Sequence, residues 1–147
     1  TIMAAILISI KKQYSDLIFE GSKTVEYRKV LPSKPVDRCF IYESRGSGRV
    51  VGYFTLSKTT SCSLTEAWSL TSDAGALSKT QFDIYYEGRS KSVLFYIASC
   101  HRFDKPFELS ELGIKRAPQS FIYLSDAEAD QLESRPSYSI NERFNSI

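Results

Sequence analysis

Residues 3–10 are an apolar run rich in β-branched side chains, the pattern of a first strand buried on both faces. The spacing then changes to helical. Tyr14, Leu17 and Ile18 share one face, Ser9 stands ahead as a candidate cap, and Gly21 sits where a left-handed C-terminal cap belongs. From 23 to 31 the chain alternates, with Val25, Tyr27 and Leu31 on one side and Thr24, Glu26, Arg28 and Val30 on the other, so it predicts a strand with a polar stripe. Pro32 and Pro35 bracket a loop. Residues 38–44 and 49–57 then form two strands of a hairpin around Arg45-Gly46-Ser47-Gly48.

Between 63 and 88 the helical period returns in Leu64, Ala67, Trp68 and in Phe82, Tyr85, Tyr86, with Ser63 and Ser78 as caps and Gly75 and Gly88 as stops. Two short helices therefore interrupt the strands, and Trp68 is expected to anchor them. Residues 92–100 give a further central strand, Pro106 leads to a turn at Gly113, and Ser125 with Glu128 makes a capping box for a last helix through Glu133. Residues 135–147 are polar and pattern-poor and are expected to be a loose tail. The expected organisation is one domain over 1–134, with a helical insertion at about 63–88. Its fold class is α+β, mostly β, because the strands are joined by hairpin-length loops and lack the regular helix alternation of a parallel sheet.

Composition narrows the function classes more than it names one. Of 147 residues, 42% are hydrophobic and 24% charged, the mix of an ordinary globular domain with a core large enough to need no staples. No run approaches the ~18 apolar residues of a membrane span. Three cysteines (Cys39, Cys62, Cys100) with no C-x-x-C pair fit a reducing, cytoplasmic setting, and a single histidine, His101, leaves no zinc-binding pattern. Neighbouring Cys100 and His101 would face opposite sides of a strand, so they are not a nucleophile and its base. No cofactor is called for.

The net charge of +2 hides an asymmetry: residues 1–60 hold ten Lys and Arg against five Asp and Glu, whereas 61–147 hold nine against twelve. A basic first half suits a local anion site, phosphate being the natural ligand. The densest polar constellation lies there, in Lys23, Glu26 and Arg28 at the junction of the first helix and the next strand, where Glu26 and Arg28 share a face. The loop from Ser44 to Arg49 offers backbone N–H groups and the guanidiniums of Arg45 and Arg49 to a phosphate. Tyr27, Tyr42, Tyr53 and Tyr96 lie on predicted strands, where an exposed ring could stack a base but most rings serve packing.

The motif Gly21-x-Lys23-x-x-Glu26-x-Arg28, preceded by Ile8-Ser-Ile-Lys-x-x-Tyr14-x-x-Leu17-Ile18, resembles the signature of the ASCH domain family, a branch of the PUA-like β-barrels. The likeness continues through Ile41-Tyr-Glu-Ser44, Val50-Val-Gly52, Ala67-Trp68, Phe82-x-x-Tyr85-Tyr86 and Pro118-Gln-Ser-Phe121, covering about 6–124. It implies a small β-barrel with a cleft floored by the motif, and RNA, nucleosides or DNA as partners. The nucleic-acid-binding residues expected on this basis are Lys11, Tyr14, Lys23, Thr24, Glu26, Arg28, Ser44, Arg45 and Arg49. RNA is favoured over DNA. The alternative is a hydrolase of the same cleft, with Lys23 and Glu26 catalytic, cutting RNA or acting on modified nucleosides. One family member is an N4-acetylcytidine amidohydrolase using a Lys, a Thr three residues later and a distant Glu; here Glu26 stands where that Thr would be, and Thr24 follows Lys23 directly.

Overall fold

The computed structural model describes residues 3–139. Its strands are β1 (Ala4–Lys11), β2 (Val25–Arg28), β3 (Val36–Ser44), β4 (Val50–Ser63), β5 (Lys91–Phe107), β6 (Phe121–Leu124) and β7 (Ser137–Tyr138). Its helices are α1 (Lys12–Glu20), α2 (Leu64–Thr71), α3 (Lys79–Tyr85) and α4 (Asp126–Glu133). The strands form one sheet in the order β2-β5-β4-β3-β1-β6, with β7 added to β5. β1 and β3 run parallel, and every other pairing is antiparallel.

Two long strands give the sheet its curl. β4 has 14 residues and β5 has 17, and their pairing slips near Thr55, Leu56 and Lys58. Bulges of this kind bend a strand and raise its twist. The early half of β4 thus pairs with β3 while its late half continues with β5, which carries β2. Inside the curl, Ile6, Ile8, Ile41, Phe54, Val93 and Phe95 form a core sealed by Ile18 and Phe19 of α1. The opposite face of β1, β3 and β4 places Leu7, Phe40 and Tyr53 against Ala129 and Leu132 of α4. A third cluster joins Val25, Tyr27 and Leu94 to Ala67, Phe82 and Tyr86 of the helical insertion. The barrel expected from the family resemblance is therefore an open curl, since the path of pairing ends at β2 on one side and β6 on the other.

Most expected elements occur, with instructive exceptions. Ser9 does not cap α1. It stays in β1 opposite Tyr42, its hydroxyl donating to the carbonyl of Pro118 at 2.6 Å, because β1 remains paired as far as Lys11. Helix α1 starts at Lys12 with no side-chain cap, and ends on Gly21 at φ 86° as expected. The strand expected over 23–31 is confined to Val25–Arg28, since its pairing with β5 stops at Arg28 opposite Val93 and leaves Val30 and Leu31 exposed. Ser63, Ser78 and Ser125 all cap helices as predicted. Trp68 packs on Phe82, with ring centroids 5.1 Å apart. His101 lies on central β5, stacked on Tyr53 and bonded to Ser99, whereas Cys100 turns the other way toward Ile18. All three cysteines are free. Within the expected tail, Ser137 and Tyr138 pair with Phe103 and Arg102; residues 140–147 lie outside the described residues. No helix among the described residues is long and apolar enough to cross a membrane.

Candidate nucleic-acid interface

The site grows out of the α1 to β2 turn. Gly21 in the left-handed conformation lets the backbone N–H groups of Ser22 and Lys23 return to the Leu17 carbonyl, so Lys23 enters the cleft before β2 begins. Alternation along β2 then sends Val25 and Tyr27 under the insertion helices and Glu26 and Arg28 into the curl. The Lys23 amine, 2% exposed, donates to the Gly75 carbonyl and lies 3.4 Å from Glu26 Oε1. It also stands over the rings of Tyr27 and Tyr14, at 5.2 and 5.6 Å. Burial pushes its pKa below the ordinary 10.5; the Glu26 carboxylate opposes that fall and the Arg28 charge adds to it.

Arg28 bridges the open seam of the sheet. Its Nη1 donates to Glu26 Oε2 at 3.1 Å and to the Ser9 carbonyl at 3.3 Å, while Nη2 donates to Ser120 Oγ at 2.8 Å. One guanidinium on β2 thereby holds β1 and the segment leading into β6. Its Nε is buried without a hydrogen-bond partner among the described residues.

The helical insertion completes the wall. Ala74 takes the N–H groups of Thr24 and Val25, covering the edge at the start of β2, and Tyr27 is held by Thr71. Above this floor opens a cavity of about 810 Å³. It collects Lys11, Tyr14, Lys23, Glu26, Tyr27, Arg28 and Ser44 from the residues singled out in the sequence. Thr24, Arg45 and Arg49 do not line it. Thr24 is exposed and fixed through its backbone to Ala74 and Ile97, and Arg49 pairs with Glu108 at 2.7 Å. Arg45 lies exposed in the hairpin turn, with φ 54°. Buried Glu43 occupies that turn's amides: its carboxylate accepts from Ser47 N–H and its carbonyl from Gly48 N–H, so neither is directed at a phosphate.

Other lining residues were not among the site residues expected from the sequence: Lys29, Gln81, Ile84, Tyr85, Arg89, Gln119 and Ser120. Some signal existed. Gln81 and Tyr85 neighbour the core positions Phe82 and Tyr86 on α3, and Lys29 directly follows the motif, but nothing local connects 81–89 or 119–120 with residue 28. Of the strand tyrosines, Tyr27 is buried and lines the cavity, Tyr53 is buried away from it, and Tyr42 and Tyr96 are half-buried away from it; the helix residues Tyr14 and Tyr85 add rings to its lining. Among the described residues no cluster of His, Cys, Asp and Glu could hold a metal.

Known proteins are similar to this chain in sequence and in fold. The chain is 30% identical over 133 residues to a Zymomonas mobilis protein named ASCH domain-containing ribonuclease, aligning 87% of this chain with 89% of that one. It is 28% identical over 120 residues to the large ribosomal subunit protein uL22 of Ureaplasma parvum, aligning 81% of this chain but 39% of that protein. It thus spans about two fifths of the length of that relative. The crystal structure of ASCH from Zymomonas mobilis superposes with a TM-score of 0.81 at 26% identity, covering 92% of this chain and 97% of that one. The N-terminal domain of Staphylothermus marinus McrB shares the fold, with a TM-score of 0.56 at 11% identity over 92% of this chain and 96% of that one. The ASCH domain model itself matches residues 8–107, from the second half of β1 through β5 with the whole Lys23–Glu26–Arg28 floor, and the chain belongs to the ASCH domain family.

Proposed function

We propose that this domain binds single-stranded RNA in the cavity between α1, α3 and the open seam of the sheet. One observation carries the reading: the cavity gathers five cations, Lys11, Lys23, Arg28, Lys29 and Arg89, and a single carboxylate, Glu26. On a chain whose net charge is only +2, such concentration focuses positive potential where a polyanion can enter. Lys11, Lys29 and Arg89 are exposed and have no ion-pair partner among the described residues, so they are free to neutralise phosphates. The floor is suited to a nucleotide's polar edges, with Glu26 as acceptor for an amine or ribose hydroxyl and Arg28 as donor.

Titrating an unstructured RNA oligomer across several salt concentrations tests this. Log affinity should fall linearly with log salt, and a Lys11→Ala, Lys29→Ala, Arg89→Ala variant should weaken binding and flatten the slope by about 2, at roughly 0.7 per lost phosphate contact. An unchanged slope in that variant would contradict the reading.

A second reading, RNA cleavage, is favoured by the chemistry of Lys23 and supported by the name of the Zymomonas relative. Burial lowers the Lys23 pKa and so favours the neutral amine, the form that can take the proton of a ribose 2′-hydroxyl. The 2′-oxygen then bonds to phosphorus as the 5′-oxygen leaves, taking a proton from water, while Arg28 balances the charge gathering on the phosphate. The rate should rise with pH through the depressed Lys23 pKa and level off above it. Lys23→Ala should lower it by about 10²–10⁴ and abolish that rise. RNA recovered intact from the complex would exclude cleavage and leave the binding reading standing.

A further inference from the structure

Resting on that binding reading, we infer that the rim of the cavity carries a second nucleotide subsite, formed by Val30 and Ile84, so that the site takes an oligonucleotide and not a free nucleoside. Val30 is 53% and Ile84 67% exposed, yet both line the cavity. A lone exposed aliphatic side chain is ordinary. Here two come from separate elements, the segment after β2 and helix α3, and both line the same cavity. Phe82 and Tyr86 turn into the core, so α3 is held firmly by its buried side while Ile84 stays at the mouth.

Charge around the ledge states what would cover it. The Lys29 amine lies 4.6 Å over the Tyr85 ring, Arg89 stands in the turn after α3, and neither has an ion-pair partner among the described residues. An apolar shelf beside two unpaired cations matches a nucleotide, whose flat base covers aliphatic surface while its phosphate meets the charge. The floor is chemically different. Lys23, Glu26 and Arg28 are nearly buried and hydrogen-bonded, and they address polar atoms. Floor and ledge together hold two successive nucleotides of one strand, the first by its polar edges and the second by its face.

The test compares two ligands with the same number of phosphates: a nucleoside 3′,5′-bisphosphate and a 5′-phosphorylated dinucleotide. The dinucleotide should bind about tenfold more tightly, the contribution of one additional base contact. A Val30→Ser, Ile84→Ser variant should bring the dinucleotide down to the bisphosphate's affinity and leave the bisphosphate within about twofold. Both positions are exposed, so the fold should tolerate the changes. Equal affinity of the two ligands, or a variant that weakens both alike, would overturn the second subsite while leaving RNA binding intact. Failure of these ligands and of longer RNA to bind would instead remove the reading it rests on. A wild-type dimer in sedimentation that the variant converts to monomer would also overturn it, assigning the ledge to a contact between two copies of this chain.

Discussion

Replacing Glu26 with alanine is expected to destabilise the domain by about 3–5 kcal/mol, the cost of removing one partner from a buried ionic cluster. Glu26 is the carboxylate between Lys23 and Arg28, 3.4 Å from one and 3.1 Å from the other, and it is 6% exposed. Without it two nearly buried cations face each other. Lys23 can relieve the repulsion by losing its proton. The sign of the pH dependence follows. Lys23 is depressed in the folded state, so between that depressed value and 10.5 the unfolded chain binds more protons and stability rises with pH. Glu26→Ala removes the influence that holds the Lys23 pKa up, which widens the interval and steepens the recovery toward alkaline pH. Denaturant unfolding at several pH values measures this. A loss below about 1 kcal/mol, insensitive to pH, would mean that Glu26 does not hold the two cations.

Gly75→Ala is the second large effect, expected at about 2–4 kcal/mol from overpacking. A Cβ on Gly75 would overlap the hydroxyl end of the Tyr27 side chain, at Cε2, Cζ and Oη. Tyr27 cannot yield easily: it is 4% exposed, edge-on to Phe82 and Tyr86, and tied by its hydroxyl to Thr71. The neighbouring Ala76 already has φ 60°, so the turn has little freedom to slide away. The change also reaches the site, because the Gly75 carbonyl accepts from Lys23. RNA affinity should therefore fall even at temperatures where the variant is fully folded. Thermal unfolding together with RNA titration reads both effects, and a variant of wild-type stability and affinity would contradict this packing.

Much of the architecture was legible because burial writes a period into the chain. The two-sided burial of β1, the Gly21 stop of α1, the hairpin around 45–48 and the serine caps of α2, α3 and α4 follow from local rules. The true lengths of β4 and β5 were not legible, since 58–61 and 101–106 are mostly polar and remain strands only because each pairs with the other or with neighbours distant in sequence. Residues 121–124, Phe-Ile-Tyr-Leu, are β-forming but make a run of only four, which the sequence reading did not assign, and they become β6 by pairing with β1. For the site, spacing brought Lys23, Glu26 and Arg28 together correctly. It could not show that Arg28 crosses the seam to Ser9 and Ser120, more than ninety residues from Arg28 in the second case. Nor could it show that Glu43 occupies the amides of the 45–48 turn.

The most direct measurement is a map of backbone amide chemical shifts as a short single-stranded RNA is added. Perturbations should concentrate on the cavity, at Lys11, Tyr14, Lys23, Glu26, Arg28, Lys29, Arg89 and Ser120, and should leave Arg38 and the α4 face unmoved. Shifts centred on the α4 face or on the 45–49 turn, with the cavity silent, would place the RNA elsewhere and contradict the proposed interface.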